Sequence, residues 1–570
     1  MKMPVVLLAA IVAVSVALSS PAQTQAQPQS AQSQAQPQSH PIPRIVQKDG
    51  RYALLVDDAP YLMLGAQVHN SSSWPAAQPK VWPAMEYLHV NTVEMPVYWE
   101  QFEPRPGQYD TSTIDMLLAQ ARQHQVHLVI LWFGTWKNGS QHYMPEWMKL
   151  DTVKYPHVIG KNGDAVDSPS PFAAASLEAD KTAFAAFMKH LKAADPQRTV
   201  LMVQVENESG TWGSVRDYSP AASQLFAGPV PPEVLTAMQV KPASPAPNWQ
   251  EAFGSEAEVN FHAWAVAKYV GQVAAAGKAA YPLPMYANAA LRDPIKPGAP
   301  GSYEAGGPTD NELSIWKVAA PAIDVLAPDN YTNDPVAYLK VLDLYHRSDN
   351  PLFVPETGGP NNPRFFFSAL GLQAIGFSPF GLDYTHSRSI PDPAHPREEA
   401  LTPWAMNYLL VGPMMRDVAR LNFDGKLQAV AEEQGKASQV LSFGDWNAVV
   451  TYGASNRGPA TGNATPQGRA LVAQLKDNQF LVAGYYCRVD FRPAGTEAQR
   501  KSGQIQVGSG QNPNAQIDGK WQHRQFLRVE EGTYENGAFK FQRILNGDET
   551  DYGLNLGAEP TVLRVSVATY

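Results

Sequence analysis

Two stretches decide how this chain is read: Val203-Gln204-Val205-Glu206-Asn207-Glu208-Ser209-Gly210 and Pro351-Leu352-Phe353-Val354-Pro355-Glu356-Thr357-Gly358-Gly359. Each is an apolar run with the look of a buried strand, ending in a carboxylate close to glycine. An unpaired charge inside a buried strand is very unfavourable. At the carboxyl end of a strand in an α/β barrel, the same group opens into the bowl where such barrels place their chemistry. Glu208 and Glu356 are therefore read as strand-end groups that the rest of the chain brings face to face.

Working outward, the segment from about Ile45 to Asp383 alternates short apolar runs with longer helix-like stretches, the pattern of a parallel sheet with crossover helices. The strand candidates are Tyr61–Gln67, Thr92–Tyr98, His127–Phe133, Val200–Val205, Met285–Ala289, Val325–Pro328, Leu352–Pro355 and Ala374–Pro379. Most are apolar throughout rather than alternating, as strands buried on both faces should be. Eight such units predict a (β/α)8 TIM barrel. Polar groups cluster just past the runs: Gln67 and His69, Tyr98 to Glu100, Trp132, Trp136 and Asn138, Asn207 and Glu208, Asn288, Asp329 to Tyr331, Glu356, and Asp383 with Tyr384. Two connections are long, Asn138 to Pro171 and the Pro-rich Thr211 to Val259, and long βα loops commonly wall a substrate site.

Beyond a helix-like stretch from Glu398 to Leu421 the style changes. Short runs from Gln439 to Val567, separated by Gly, Asn and Asp, predict a smaller all-β sandwich. The N-terminus has Lys2, an apolar run from Val5 to Leu18 and the small-residue site Ser20-Pro21-Ala22, the pattern of a secretory signal peptide too short for a stable span. Cleavage after Ala26 is the alternative. The expected organisation is a signal peptide (1–22), a disordered Gln/Pro/Ala linker (23–42), the barrel (43–420) and the sandwich (421–570). The expected location is periplasmic or extracellular, with no membrane insertion. The one cysteine, Cys487, sits in a strand-like alternation and reads as a packed small hydrophobe. A net charge of −9 without a basic stripe argues against nucleic acid as a partner. Oligomeric state is not legible.

The residues show no metal-ligand cluster and no nucleotide fingerprint, so no metal and no cofactor is expected. Two strand-end carboxylates suggest work on a glycosidic bond, where a retaining enzyme sets an acid/base and a nucleophile roughly 5–5.5 Å apart. Asn207 is placed to hydrogen-bond the hydroxyl beside the reacting carbon. Tyr98, Trp132, Asn138, Tyr331 and Tyr384 are the other candidates for holding a sugar. Glu206 lies two residues before Glu208 and would share its face on a regular strand, so geometry alone leaves either as the acid.

Asn207-Glu208 after a fourth strand, with Glu356 closing the seventh, resembles the large clan of retaining barrel glycosidases. Within it, Asn91-Thr92-Val93-Glu94-Met95-Pro96-Val97-Tyr98-Trp99-Glu100-Gln101-Phe102-Glu103-Pro104-Arg105-Pro106-Gly107-Gln108-Tyr109-Asp110, the Gln204-to-Gly210 stretch and Met144-Pro145-Glu146-Trp147-Met148 resemble family 35 β-galactosidases. Ile544-Leu545-Asn546-Gly547-Asp548-Glu549-Thr550 resembles the accessory β-domain of a bacterial branch. The resemblance implies Glu208 as acid/base, Glu356 as nucleophile and a structural Glu206. It also implies exo-release of terminal β-linked galactose from oligo- or polysaccharides, with xyloglucan side chains the favoured source. Ser209, Thr357-Gly358-Gly359 and Gly134-Thr135-Trp136-Lys137-Asn138 depart from the family pattern and bear on sugar preference. The alternatives are a clan relative acting on another sugar (a β-glucosidase, arabinosidase or mannanase) and a noncatalytic carbohydrate-binding protein.

Overall fold

The computed structural model describes residues 40–570 apart from 242–243, 386–397, 399, 454–459, 495–504, 507–513, 518–519 and 570. The expected signal peptide and nearly all of the expected linker lie outside the described residues.

The chain forms a closed, all-parallel eight-stranded barrel, as the apolar runs predicted. In chain order the strands are β1 (Met63–Gln67), β2 (Thr92–Tyr98), β3 (His127–Lys137), β4 (Val200–Asn207), β5 (Met285–Ala290), β6 (Val325–Asn330), β7 (Phe353–Thr357) and β8 (Gly376–Pro379). Successive strands pair side by side and β8 closes on β1. Side chains alternate between two cores. Val129, Leu131, Phe133, Leu201, Tyr286, Val325 and Phe353 belong to a cluster enclosed by the strands. Their neighbours Ile130, Trp132, Val203 and Val205 belong to the layer beneath the helices. With apolar residues required on both faces, period two disappears from the sequence while remaining in the structure.

A three-stranded antiparallel sheet, Arg44–Lys48, Arg51–Val56 and Ala59–Tyr61, precedes β1. It sends Leu54, Val56 and Tyr61 into the enclosed cluster. The sequence reading did not anticipate this sheet.

Two antiparallel sheets follow the helices Thr402–Val411 and Met415–Phe423. The larger is built around Leu427–Ala431, Arg469–Lys476, Gln479–Tyr485, Thr561–Thr569 and Lys520–Glu535. The smaller consists of Ser438–Phe443, Trp446–Thr451, Cys487–Pro493 and Leu554–Leu556. On one face of the larger sheet, Ala470, Val472, Phe480, Val482, Leu563 and Val565 meet Leu441, Val450, Val489 and Phe491 of the smaller. On its other face, Leu471, Ala473, Leu481, Ala483 and Tyr485 join the cluster that holds the barrel helices together. The two bodies are thus joined through a sheet buried on both sides. Helix Phe365–Gly371 approaches the strand Leu427–Ala431 so closely that a Cβ on Gly371 would lie 2.2 Å from the carbonyl oxygen of Ala429. Cys487 is buried in the sandwich, as its alternation predicted.

Candidate active site

Glu208 and Glu356 open into the same bowl. Glu356, on β7, accepts from Gln67 Nε2 at 2.7 Å and Asn207 Nδ2 at 3.3 Å on one oxygen, and from the Tyr331 hydroxyl at 2.8 Å on the other. Its donors therefore come from the ends of β1, β4 and β6. Lys137, at the end of β3, donates to Oδ1 of Asn207 at 2.7 Å. An amide whose oxygen is held by an ammonium must present its NH2 elsewhere, and it turns toward Glu356.

Glu208 lies just past β4 with its backbone N–H on Oδ1 of Asn288 at 2.9 Å. Asn288 donates in turn to Asp329 at 2.6 Å, and the Asp329 and Glu208 carboxyls meet. Burial, and next the Glu356 charge, push Glu208 up to about 7, while Lys137 opposes them. Burial and the charges of Glu356 and Glu208 hold Asp329 well above the usual carboxylate range. Deeper inside the barrel, burial pushes Glu94 up to about 8; it accepts from the Tyr286 hydroxyl at 2.8 Å.

Glu206 does not share the face of Glu208. Glu206 has φ 63° and Glu208 φ 44°, so the end of β4 leaves the extended region twice and the alternation of a regular strand breaks down. Glu206 turns outward beneath the helix Ala174–Ala194 and accepts from the Trp136 backbone at 2.7 Å. It is coupled there to Asp180, which also takes the Thr135 hydroxyl at 2.7 Å and the Trp132 indole at 3.0 Å. Burial, and for Glu206 also the Asp180 charge, raise both acids. The structural reading of Glu206 matches its position.

The other sequence candidates divide. Asn207 and Tyr331 reach the bowl. Trp132 does not: it is fully buried on the helix side of β3, against Phe102, Phe184 and Phe187, and its expectation as a sugar platform is corrected. An all-apolar strand gives no indication of which face a given residue takes. Tyr98 is buried too, stacked on Trp74 and Tyr143, with its hydroxyl accepting from the Ser73 N–H. Asn138 is exposed at a left-handed turn and contributes through its backbone, donating to the Asn207 carbonyl at 3.2 Å. Tyr384 packs against the outer apolar layer. Its neighbour Asp383 is the group facing His69, accepting from the His69 N–H at 2.7 Å. Glu100 pairs with Lys149 at 3.0 Å.

Five groups of the site were not chosen as site residues from sequence. Gln67, Asn288 and Asp329 stood at strand ends and were visible as such. Lys137 was visible only as a departure from a family pattern. Glu304 gave no signal, because it lies on the loop between β5 and the helix Leu313–Ala319. Among the described residues no group of three or more His, Cys, Asp or Glu is arranged to hold a metal ion, and no helix is long and apolar enough to cross a membrane.

Part of the barrel is similar to a glycoside hydrolase family. Residues 70–279 match the glycoside hydrolase family 42 model, described as beta-galactosidase. The match falls on family 42, and the finer resemblance to family 35 is not what it supports. It takes in β2 to β4 with Lys137, Asn207 and Glu208, and it ends before Glu304, Tyr331 and Glu356. Residues 404–557 match a domain of unknown function. No curated protein matches the chain. The structure is similar to the β-galactosidase of Bacillus circulans sp. alkalophilus at 14% identity and TM-score 0.45, covering 63% of this chain and 57% of that one. It is similar to the β-galactosidase of psychrophilic Marinomonas ef1 at 12% identity and TM-score 0.46, covering 63% and 61%. The exo-β-1,4-mannosidase Op5Man5 of Opitutaceae bacterium strain TAV5 follows at 16% identity and TM-score 0.36, covering 63% and 58%. The chain thus spans less than two thirds of the length of these proteins.

Proposed function

We propose that this protein is an exported, retaining exo-β-galactosidase, with Glu208 as acid/base and Glu356 as nucleophile. The observation that carries the reading is the different surroundings of the two carboxyls. Glu208 is pushed up to about 7 and so is protonated when a leaving group needs a proton. Glu356 has both oxygens fixed by three neutral donors and is aimed by them. Glu356 attacks the anomeric carbon while the glycosidic oxygen takes the Glu208 proton and departs. Glu208, now ionised, removes a proton from water, and the hydroxide displaces Glu356 to release the sugar with its configuration retained. Asn207, steered by Lys137, is placed beside the reacting carbon.

The family 42 model over residues 70–279 supports galactose as the sugar. The preference for xyloglucan rested on the family 35 resemblance, so the proposal extends only to terminal β-linked galactose. Export rests on the signal-like N-terminus, and a periplasmic or extracellular site of action follows from it.

The test is hydrolysis of an aryl β-galactoside by the wild type and by Glu208→Ala and Glu356→Ala, with azide added. Both variants should lose activity, and azide should rescue the Glu208 variant as the β-galactosyl azide. An α-configured azide from the Glu208 variant would overturn the retaining mechanism. Turnover of aryl β-glucoside or β-mannoside in place of galactoside would overturn the sugar.

A further inference from the structure

Trp212 lies four residues past Glu208 and is 49% exposed. Isolated exposed apolar residues are ordinary on a protein surface, but the segment carrying this one is clamped. Thr211 exchanges backbone hydrogen bonds with Ala305 at 2.8 and 3.1 Å. Its hydroxyl lies 2.9 Å from Nε2 of His262 and 3.1 Å from the hydroxyl of Ser168, and Ser168 donates to the Gly210 carbonyl at 2.9 Å.

Glu304 lies against the indole. It is 2% exposed, and neither of its carboxyl oxygens has a hydrogen-bond partner of good geometry. Burial and the neighbouring Glu208 charge raise Glu304 well above the usual carboxylate range, against Lys137 and a contact from the Trp212 indole. The turn after β3 makes room for both side chains: a Cβ on Gly139, which has φ 70°, would lie 2.6 Å from Glu304 Oε1 and 2.8 Å from Trp212 Cδ1. A buried acid with no other hydrogen-bond partner, a left-handed glycine and a clamped loop together fix one half-exposed ring close to the bowl.

Which side of the substrate this ring faces follows from the chemistry. The acid/base protonates the oxygen of the leaving group, so its side of the bowl is the leaving-group side. Tyr331 is instead bonded to Glu356. We infer that Trp212 is the platform on which the first sugar ring of the leaving group stacks, with Glu304 as the positioning residue that holds the indole. The substrate class is then an oligosaccharide whose terminal galactose is linked to another pyranose, rather than a galactoside of a small alcohol. This inference rests on Glu208 being the acid/base.

The experiment compares a β-galactosyl-glucose disaccharide with β-galactosyl fluoride, whose leaving group has no ring to stack. Trp212→Ala should lose roughly tenfold more kcat/KM on the disaccharide than on the fluoride, through a raised KM. Trp212→Phe, which keeps a flat ring, should restore most of that preference. Glu304→Gln should show a smaller loss in the same direction. Equal losses on the two substrates, no loss on either, or equal impairment by Ala and Phe would overturn the platform. Azide rescue of Glu208→Ala on an activated aryl galactoside separates the two readings: rescue with no Trp212 preference leaves Glu208 standing and removes the platform. Full activity of Glu208→Ala without azide removes both.

Discussion

Lys137 grips Oδ1 of Asn207 at 2.7 Å, and the amide it steers is one of the three donors on Glu356. The same ammonium favours the ionised form of Glu208. Lys137→Met should therefore do two separable things. It should lower kcat/KM on aryl galactoside by roughly 10- to 100-fold, because Asn207 loses its orientation. It should also move the alkaline limb of the pH–rate profile upward, because Glu208 ionises less readily without a neighbouring cation. Rates measured from pH 5 to 9 check both effects.

Wild-type kcat/KM should fall as pH rises above about 7, where Glu208 loses the proton a leaving group needs. Substrates with poorer leaving groups should show the fall most steeply. A profile flat to pH 9 on an alkyl galactoside would remove Glu208 from the acid role.

Glu206→Gln and Glu208→Gln are the same change two residues apart, with opposite expectations. Glu208→Gln should lose about a thousandfold or more on substrates that need a proton. Glu206→Gln keeps a neutral group beside Asp180 and should retain activity within about tenfold. Its effect should appear in thermal stability, because a buried hydrogen-bond network is disturbed.

Stability itself should decline with alkalinity. Burial pushes Glu94 and Glu312 up to about 8 and Glu208 up to about 7, all from an ordinary 4.5. Between those values the folded chain holds protons that the unfolded chain has released. Their contribution is complete below pH 4.5 and is lost as pH climbs through 7 and 8. Tm should drop between about pH 4.5 and 8, and Glu94→Gln should flatten the drop.

Gly371→Ala tests the junction of the two bodies. The added Cβ meets the Ala429 carbonyl at 2.2 Å, so helix and strand must part. A loss of about 1–3 kcal/mol is expected from such overpacking, with KM unchanged because the atoms the new Cβ meets belong to Ala429 and not to the bowl. Denaturant unfolding followed with a substrate titration measures both.

How far the sequence could be read depended on what each segment has to bury. All eight barrel strands were legible because a parallel strand covered on both faces is one unbroken apolar word. That uniformity also hid the direction of Trp132, since neither face is polar. Glu208 and Glu356 were legible because a carboxylate ending such a run is conspicuous. The separation of Glu206 from Glu208 was not, because it depends on two left-handed backbone conformations at non-glycine residues. Glu304 was hidden in a loop with no periodicity. In the sandwich, Ala538–Leu545 was missed as a strand because most of its residues are exposed, and no inward and outward alternation marks it.

The sheet shared by barrel and sandwich has a consequence for descent. A module joined by a tether can be exchanged between genes without harm to its neighbour. Here Leu471, Ala473, Leu481, Ala483 and Tyr485 complete the apolar layer of the barrel, and Tyr485 donates its hydroxyl to the Met406 carbonyl at 2.7 Å. Met406 belongs to the helix Thr402–Val411, whose Tyr408 hydrogen-bonds the backbones of β1 and β8. The matched C-terminal domain begins at residue 404, inside that helix. The matched segment therefore includes part of the barrel wall, and separating the chain at its boundary would leave both bodies with an open core.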